Sequence, residues 1–237
     1  MRARWANERP GPLTDYVCPI CNNWGFTTRI NARGYMVSTL CQCEAKRRSM
    51  RLIRQSGMGD MVERYTLEAF QTPEPWQAAV KTAAEDFLEA RDGWFAVLGS
   101  VGSGKTHICT AICGELLNAG IEVRYFRWAD DSRRLKGLAL DQEEYRRMIE
   151  PFKQCKALYV DDFLKTKRGM EPTAADINLA FELLDYRYCN SQLITILSSE
   201  RMIDEILSID EALGSRIFER TKGHRLELSG DKNWRTR

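Results

Sequence analysis

Apolar positions along the chain recur with two different periods, and their order predicts a sheet flanked by helices. Between residues 76 and 90, Ala79, Ala83 and Phe87 recur every four positions, which is typical of one face of an amphipathic helix. Trp94–Leu98, by contrast, is a short continuous apolar run, which favours a strand buried on both faces. The two patterns then alternate to the end of the chain.

This alternation predicts a parallel sheet covered by helices on both faces, because parallel strands need crossover connections. The predicted strands are Trp94–Leu98, Ile121–Phe126, Ala157–Val160, Leu193–Leu197 and Arg225–Leu228. The predicted helices are Trp76–Ala90, Lys105–Ala119, most of 130–153, Ala174–Tyr188, Ile203–Leu207 and Ala212–Arg220. The fold class is therefore α/β.

A small unit over residues 16–44, here called the cysteine module, precedes this domain. Phe26–Ile30 and Tyr35–Leu40 read as two short strands joined by a turn, which predicts a β-hairpin. Residues 44–56 read as a basic helix. The predicted organisation is an N-terminal module with its basic helix (1–56), a linker rich in glycine and proline (57–75) and a core domain (76–237).

Composition places the chain of 237 residues among soluble proteins, with 43% hydrophobic and 29% charged residues. No apolar run approaches the roughly 18–20 residues of a membrane span, and no apolar segment follows the basic N-terminus. We therefore expect a cytoplasmic protein with no membrane partner.

Charge is unevenly spread along the chain. Residues 1–64 hold 11 Lys/Arg against 5 Asp/Glu, whereas the remainder holds 24 against 28. A basic front end, with arginines beside the aromatic residues of the module, favours contact with nucleic acid or an acidic protein face. A solvated surface without a partner is the alternative.

The strongest motif is a glycine-rich P-loop directly after the first strand of the core. Its glycines let backbone N–H groups converge on phosphate oxygens, and the helix that follows adds its positive end. Lys105 is expected to reach the β and γ phosphates of ATP, and the Thr106 hydroxyl to bind Mg²⁺. The nucleotide-binding residues predicted here are Gly99, Ser100, Val101, Gly102, Ser103, Gly104, Lys105 and Thr106.

A second motif is the acid pair Asp161-Asp162, which ends the apolar strand Ala157–Val160. This is a Walker B pattern, in which Asp161 holds Mg²⁺ and Asp162 polarises the attacking water. An acid pair after a strand can equally cap a helix or form a turn. Its position one β-α-β step after the P-loop favours the catalytic interpretation.

Four further side chains are candidates for the catalytic site. Ser198 and Ser199 follow the strand Leu193–Leu197, where a hydroxyl can touch the γ-phosphate or the water, or can cap the next helix. Arg216 could stabilise phosphate charge in a neighbouring subunit, as could Arg220 one turn later. The alternative for the arginines is a surface ion pair.

Four cysteines of the module, Cys18, Cys21, Cys41 and Cys43, have the spacing C-x₂-C and C-x-C around the predicted hairpin. Four thiolates suit structural Zn²⁺, and so small a unit has too little core to fold alone. An unligated thiol cluster is the alternative. The other four cysteines of the chain read as small buried hydrophobes.

Taken together, these motifs resemble the DnaC/DnaI-type replicative helicase loaders and the related IstB-type transposition helper ATPases, which are AAA+ proteins. The resemblance covers nearly the whole chain. It rests on the cysteine module, the segment Tyr65–Phe70, and the stretches GSVGSGKT, LYVDDF, LLDYRYCNSQLITILSS and ALGSRIFERT.

The resemblance implies a P-loop core without a C-terminal helical lid, a sensor at Ser199 and an arginine finger at Arg216. Asn233-Trp234-Arg235 is similar to the end of the family core, with Arg235 a candidate phosphate contact. The cysteine module, with its expected zinc site, is more similar to loaders, including phage-encoded ones, than to IstB-type proteins.

In such loaders the N-terminal module grips the replicative hexameric helicase. ATP-bound cores self-associate and contact single-stranded DNA. The expected activity is therefore ATP hydrolysis in helicase loading during DNA replication, with an IstB-like helper acting on duplex DNA as the alternative.

Overall fold

A computed structural model describes residues 9–14, 16–55, 58–167, 169–230 and 232–233. The strands are β1 (Phe26–Ile30), β2 (Met36–Leu40), β3 (Trp94–Gly99), β4 (Val123–Arg127), β5 (Ala157–Asp161), β6 (Ile194–Ser199) and β7 (Arg225–Leu228). The helices are α1 (Cys43–Gln55), α2 (Gly59–Arg64), α3 (Pro75–Ala90), α4 (Lys105–Asn118), α5 (Trp128–Gly137), α6 (Gln142–Gln154), α7 (Ala174–Cys189), α8 (Ile203–Ile209) and α9 (Glu211–Arg220).

Five strands form one sheet in the order β4-β5-β6-β3-β7, and all neighbouring pairs are parallel. All six residues of β3 are buried, because helices cover both faces of the sheet. Phe95 and Val97 pack into one apolar cluster with α3 and α4, whereas Trp94 and Ala96 pack into the other with α5 to α9. This confirms the predicted parallel sheet and its two helical layers.

Two details of the predicted elements differ from the structure. The helical stretch predicted over 130–153 is two helices, because the Asp141 side chain accepts a hydrogen bond from Glu144 N (3.1 Å) and starts α6 anew. Cys189, expected to be buried, is exposed at the end of α7, so that prediction was wrong. Cys109, Cys113 and Cys155 are buried as expected.

Residues 58–75 of the predicted linker are packed against the core along much of their length. They contain α2, and the Met58 and Phe70 side chains are buried in the same cluster as α3 and α4. The sequence predicted a linker here from its glycines and prolines. The apolar residues between them are what attach it to the core.

Helix α1 joins the cysteine module to the edge of the sheet. Ser49 Oγ accepts a hydrogen bond from the N–H of Val123 in edge strand β4 (3.0 Å), and Ile53 is buried. The Lys46 ammonium donates to Asn118 Oδ1, and the Arg47 side chain is fully buried. Part of the basic charge of α1 therefore serves internal contacts.

The module itself is an antiparallel hairpin of β1 and β2, in which Phe26 pairs with Leu40 and Ile30 with Met36. All four of these apolar side chains are exposed. None of the helices in the described part of the chain combines the length and apolar character that a membrane span requires.

Candidate nucleotide-binding site

The predicted P-loop leaves the carboxyl end of β3, which lies between β6 and β7 in the sheet. Gly99 has φ +103°, and a Cβ there would lie 2.4 Å from the Leu228 carbonyl oxygen. Both the positive φ and this close approach require glycine. Gly104, with φ +83°, is the N-cap of α4 and offers no side chain to cap it. The first N–H groups of α4 are therefore available to an anion.

Lys105 lies at the start of α4 with its side chain almost fully buried. Its ammonium donates to the carbonyl oxygens of Gly99 (2.8 Å) and Ser100 (2.7 Å). Burial lowers the pKa of Lys105, while the nearby carboxylates of Glu200 and Asp162 act in the opposite direction. The loop thus holds the lysine beside the glycines that would surround a phosphate.

Asp161 is surrounded by hydroxyl groups. Its Oδ1 accepts hydrogen bonds from Tyr159 (2.6 Å), Ser198 (2.5 Å) and Thr106 (3.4 Å), and its Oδ2 accepts one from Tyr125 (2.8 Å). Burial raises the pKa of both tyrosines, so they remain donors. Thr106 and Asp161 thereby bring two oxygen ligands together, which is the donor chemistry that Mg²⁺ prefers.

Asp162 follows at the end of β5 in a left-handed conformation, with φ +54°. It lines the same cavity as the P-loop, and its carboxylate forms an ion pair with Lys165 (2.8 Å). Its N–H donates to Ser198 Oγ (3.1 Å). The two acids of the Walker B pattern therefore have different surroundings, one among hydroxyls and one beside a cation.

The two serines that end β6 divide their contacts in a way that the sequence left open. Ser198, not Ser199, is the one whose hydroxyl reaches Asp161. Ser199 is fully buried, and its hydroxyl donates to the Phe163 carbonyl oxygen (2.7 Å). Alternation of side chains along β6 decides which hydroxyl faces the acid.

A second wall of the cavity comes from the segment before α3. Tyr65 stacks on His107 with ring centroids 4.7 Å apart, and Phe70 meets the same imidazole edge-on at 5.2 Å. Together with the P-loop these side chains line a cavity of about 470 Å³, which is in the usual range for ligand sites. The sequence pointed to Tyr65–Phe70 only through resemblance, and it gave His107 no role.

Arg216 and Arg220 lie on α9, outside the set of residues that line this cavity. The Arg216 Nε is 2.8 Å from Asp185 Oδ1, and its guanidinium lies 4.8 Å from the Phe181 ring centroid. Arg220 donates to the Ser191 carbonyl oxygen (3.1 Å). The structure thus does not bring either arginine to the P-loop of its own chain.

The chain beyond β7 runs back along the P-loop. Ser100 N donates to the Leu228 carbonyl oxygen (2.8 Å), and Ser100 Oγ to that of Gly230 (2.7 Å). The Asn233 side chain lies against Gly102, where an added Cβ would be 2.0 Å from Asn233 Oδ1. Trp234 and Arg235, the expected phosphate contact, lie outside the described residues.

The four cysteines of the module converge on one buried point. Their sulfurs all lie within 4.8 Å of one another, with Cys18 and Cys41 3.8 Å apart and Cys21 and Cys43 3.5 Å apart. Four sulfurs around Zn²⁺ are separated by about 3.8 Å, given Zn–S bonds of about 2.3 Å. The donor set and its spacing therefore fit structural zinc.

Comparison with known proteins identifies the relatives of this fold. The family model described as IstB-like ATP binding protein matches residues 24–236. The phage-like element PBSX protein XkdC of Bacillus subtilis (strain 168) is 34% identical over 230 residues, which cover 91% of this chain and 83% of XkdC.

Solved structures with the same fold include a DnaA and a DnaC helicase loader. The AMPPCP-bound DnaA from Aquifex aeolicus is 25% identical, with a TM-score of 0.55 over 72% of this chain and 52% of its own. The chain thus spans about half the length of that DnaA. A structure of the DnaC helicase loader is 21% identical, with a TM-score of 0.58 over 70% of this chain and 97% of its own.

Proposed function

The chain belongs to the family of IstB-like ATP-binding proteins, and we propose that it is an ATPase that loads a replicative hexameric helicase onto single-stranded DNA. The observation that carries the ATPase half is the meeting of the P-loop with Asp161 and Asp162 at one edge of the sheet. The loader half is supported by the cysteine module in front of a core that shares its fold with the DnaC helicase loader.

In the proposed reaction, Lys105 and the N–H groups of the P-loop bind the phosphates of ATP. Thr106 and Asp161 would hold Mg²⁺, which neutralises charge on the phosphates when bound. Asp162 takes a proton from the attacking water, whose oxygen bonds to the γ phosphorus. The bond from that phosphorus to the bridging oxygen breaks, and ADP and phosphate leave.

In this proposal Ser199 positions the turn that follows β5, since its hydroxyl donates to the Phe163 carbonyl oxygen. Ser198, which bonds to Asp161, takes the place facing the acid. Arg216 would complete the site of a neighbouring subunit in an ATP-bound assembly. In its own chain Arg216 forms a partly exposed ion pair with Asp185. Such pairs are weak, so Arg216 could give up this contact for a phosphate of the neighbouring subunit.

Two substitutions test the ATPase. Lys105→Ala removes the phosphate-binding ammonium, and we expect loss of nucleotide binding in equilibrium titrations. Asp162→Asn keeps the shape of the side chain, and we expect it to retain ATP binding while turnover falls roughly 10²–10⁴-fold. Unchanged turnover in Asp162→Asn would remove this residue from the reaction.

The loader function is tested with the full chain and the replicative helicase of the same host. Light scattering after size exclusion, with and without ATP, should show a complex of the two proteins. Cys18→Ser weakens the metal site and should abolish the complex, whereas Cys189→Ser, at an exposed thiol far along the chain, should not. Absence of a complex at micromolar concentration would contradict the proposal.

The second candidate is a transposition helper ATPase, which the description of the matching family favours. Such a protein should assemble on duplex DNA in the presence of ATP and bind a transposase. Parallel binding assays with duplex and single-stranded DNA, each with and without the helicase, separate the two functions.

A further inference from the structure

Lys165 stands between two carboxylates at the cavity of the P-loop. Its Nζ is 2.8 Å from Asp162 Oδ2 and 2.8 Å from Glu200 Oε1, and all three residues line the cavity. Partial burial lowers the pKa of Lys165. Its hydrogen bonds to the two carboxylates raise the pKa by more, so the net shift is upward. The ammonium is therefore charged, and it covers the acid assigned to activating water.

The turn that carries Lys165 is strained and firmly held. Asp162 and Leu164 both adopt left-handed backbone conformations, with φ +54° and +55°, which residues other than glycine rarely do. Lys165 N donates to the Asp162 carbonyl oxygen (2.9 Å) and closes the turn. Strain of this kind persists where surrounding contacts enforce it, and it concentrates at functional sites.

Those enforcing contacts come from the end of β6. Phe163 N donates to the Ser198 carbonyl oxygen (2.8 Å), and the Ser199 hydroxyl donates to the Phe163 carbonyl oxygen (2.7 Å). The backbone of the turn is thus fixed, while the side chain of Lys165 remains partly exposed on four flexible carbons. A fixed turn with a movable cation at its end is suited to exchange one anionic partner for another.

We propose that Lys165 senses the γ-phosphate: it pairs with Asp162 in the nucleotide-free chain and moves to the γ-phosphate oxygens when ATP binds, which frees Asp162 to accept the proton of water. This inference rests on the proposed ATPase. Glu200 keeps its contact to Lys165 in both states and holds the ammonium near the cavity. ADP has no γ-phosphate, so it leaves the pair of Lys165 and Asp162 intact.

The test compares the affinities of ATP and ADP, measured by calorimetric titration of the full chain and its variants. Lys165→Met removes the charge but keeps an unbranched side chain. Because a hydrogen bond between charged groups is lost, ATP should bind about tenfold to hundredfold more weakly. ADP should bind as it does to the wild type, which also shows that the variant is folded at the site.

Two further variants narrow the interpretation. Lys167→Met removes the same charge from the same loop at an exposed position outside the cavity, and the ratio of the two affinities should not change. Lys165→Arg keeps a cation and should retain most of the preference for ATP. If Lys165→Met loses ADP binding as well, Lys165→Gln, which keeps a polar end, takes its place.

The outcomes separate the inference from the function it rests on. A wild type that binds neither nucleotide overturns the proposed ATPase. A wild type that binds and hydrolyses ATP, together with a Lys165→Met or Lys165→Gln variant whose ratio of ATP to ADP affinity is unchanged, overturns the role of Lys165 alone. A Lys167→Met variant that weakens ATP binding as much as Lys165→Met does, with ADP binding unchanged, would also overturn it, since the effect would then be one of general charge.

Discussion

In the core, all six residues of β3 are buried between helices, whereas in the cysteine module the hairpin leaves Ile30, Met36 and Leu40 exposed. The apolar cluster buried in the module consists of four cysteines, with Tyr16 packed against them. We therefore expect one region to be stabilised by burial of apolar surface and the other by a metal ion bound to its thiols. The contrast teaches that the two regions respond to different perturbations, although α1 joins them.

The largest effect should follow from removal of metal. Structural zinc contributes an apparent binding free energy of about 10–16 kcal/mol, so a chelator should release one zinc ion per chain and unfold the module. Hydrogen exchange read by mass spectrometry should then show β1 and β2 exchanging freely while β3 stays protected. Protection of the hairpin in metal-free protein would break the comparison. Alkylation of the module's thiols can be measured in parallel. The Cys189→Ser variant is used for it, because the exposed Cys189 thiol would otherwise react as well.

The next effect belongs to the core. Phe95 is fully buried and packs against Phe87 with ring centroids 5.4 Å apart. Phe95→Ala should lower the free energy of unfolding by about 3–5 kcal/mol in urea titrations, because it leaves a cavity. Zinc should remain bound. Leu140→Ala, at a fully exposed position, is the control and should change stability by less than about 0.5 kcal/mol.

A smaller effect should appear at the joint between the two regions. Ser49→Ala leaves the N–H of Val123 without its partner at a buried position, which costs about 1–3 kcal/mol. Urea unfolding measures the loss, and Ser191→Ala at an exposed serine is the control. If Ser49→Ala destabilised only the hairpin and left the stability of the core unchanged, α1 would unfold with the module and not with the core.

The smallest effect is expected from the exposed ion pair of Arg54 and Glu63, 3.4 Å apart on the joint. Arg54→Ala should change the free energy of unfolding by about 0–1 kcal/mol, because solvent screens both charges. Repeating the measurement in 1 M salt should remove what difference there is, since the screening length is then about 3 Å. A larger loss would mean that the joint depends on charge.

The sequence predicted the order of the core elements because buried parallel strands are continuous apolar runs. The positions of Lys105, Thr106, Asp161 and Asp162 followed from spacing alone, since glycines and acids at strand ends need no tertiary information. The burial of Arg47 could not be predicted in this way. From sequence, a charged residue on a strongly charged helix is predicted to be exposed. Only the structure shows which residues cover it.

Two parts of the site depended on information that spacing does not carry. Which of Ser198 and Ser199 faces Asp161 depends on a register of one residue, and strand ends are read from sequence with a larger error than that. The aromatic wall of Tyr65 and Phe70 lies some distance along the chain from His107, and no local pattern links them.

That aromatic wall belongs to the stretch of chain that connects α1 and the cysteine module to the core. A nucleotide in the cavity would lie beside Phe70, whose ring packs against Gly104 at the start of α4, on the same stretch of chain that leads to the module. Thermodynamic reciprocity then applies: if a partner that pulls on the module changes the affinity for nucleotide by some factor, the nucleotide changes the affinity for that partner by the same factor. Phe70 is the residue at which such coupling would meet the nucleotide, since its ring lines the cavity.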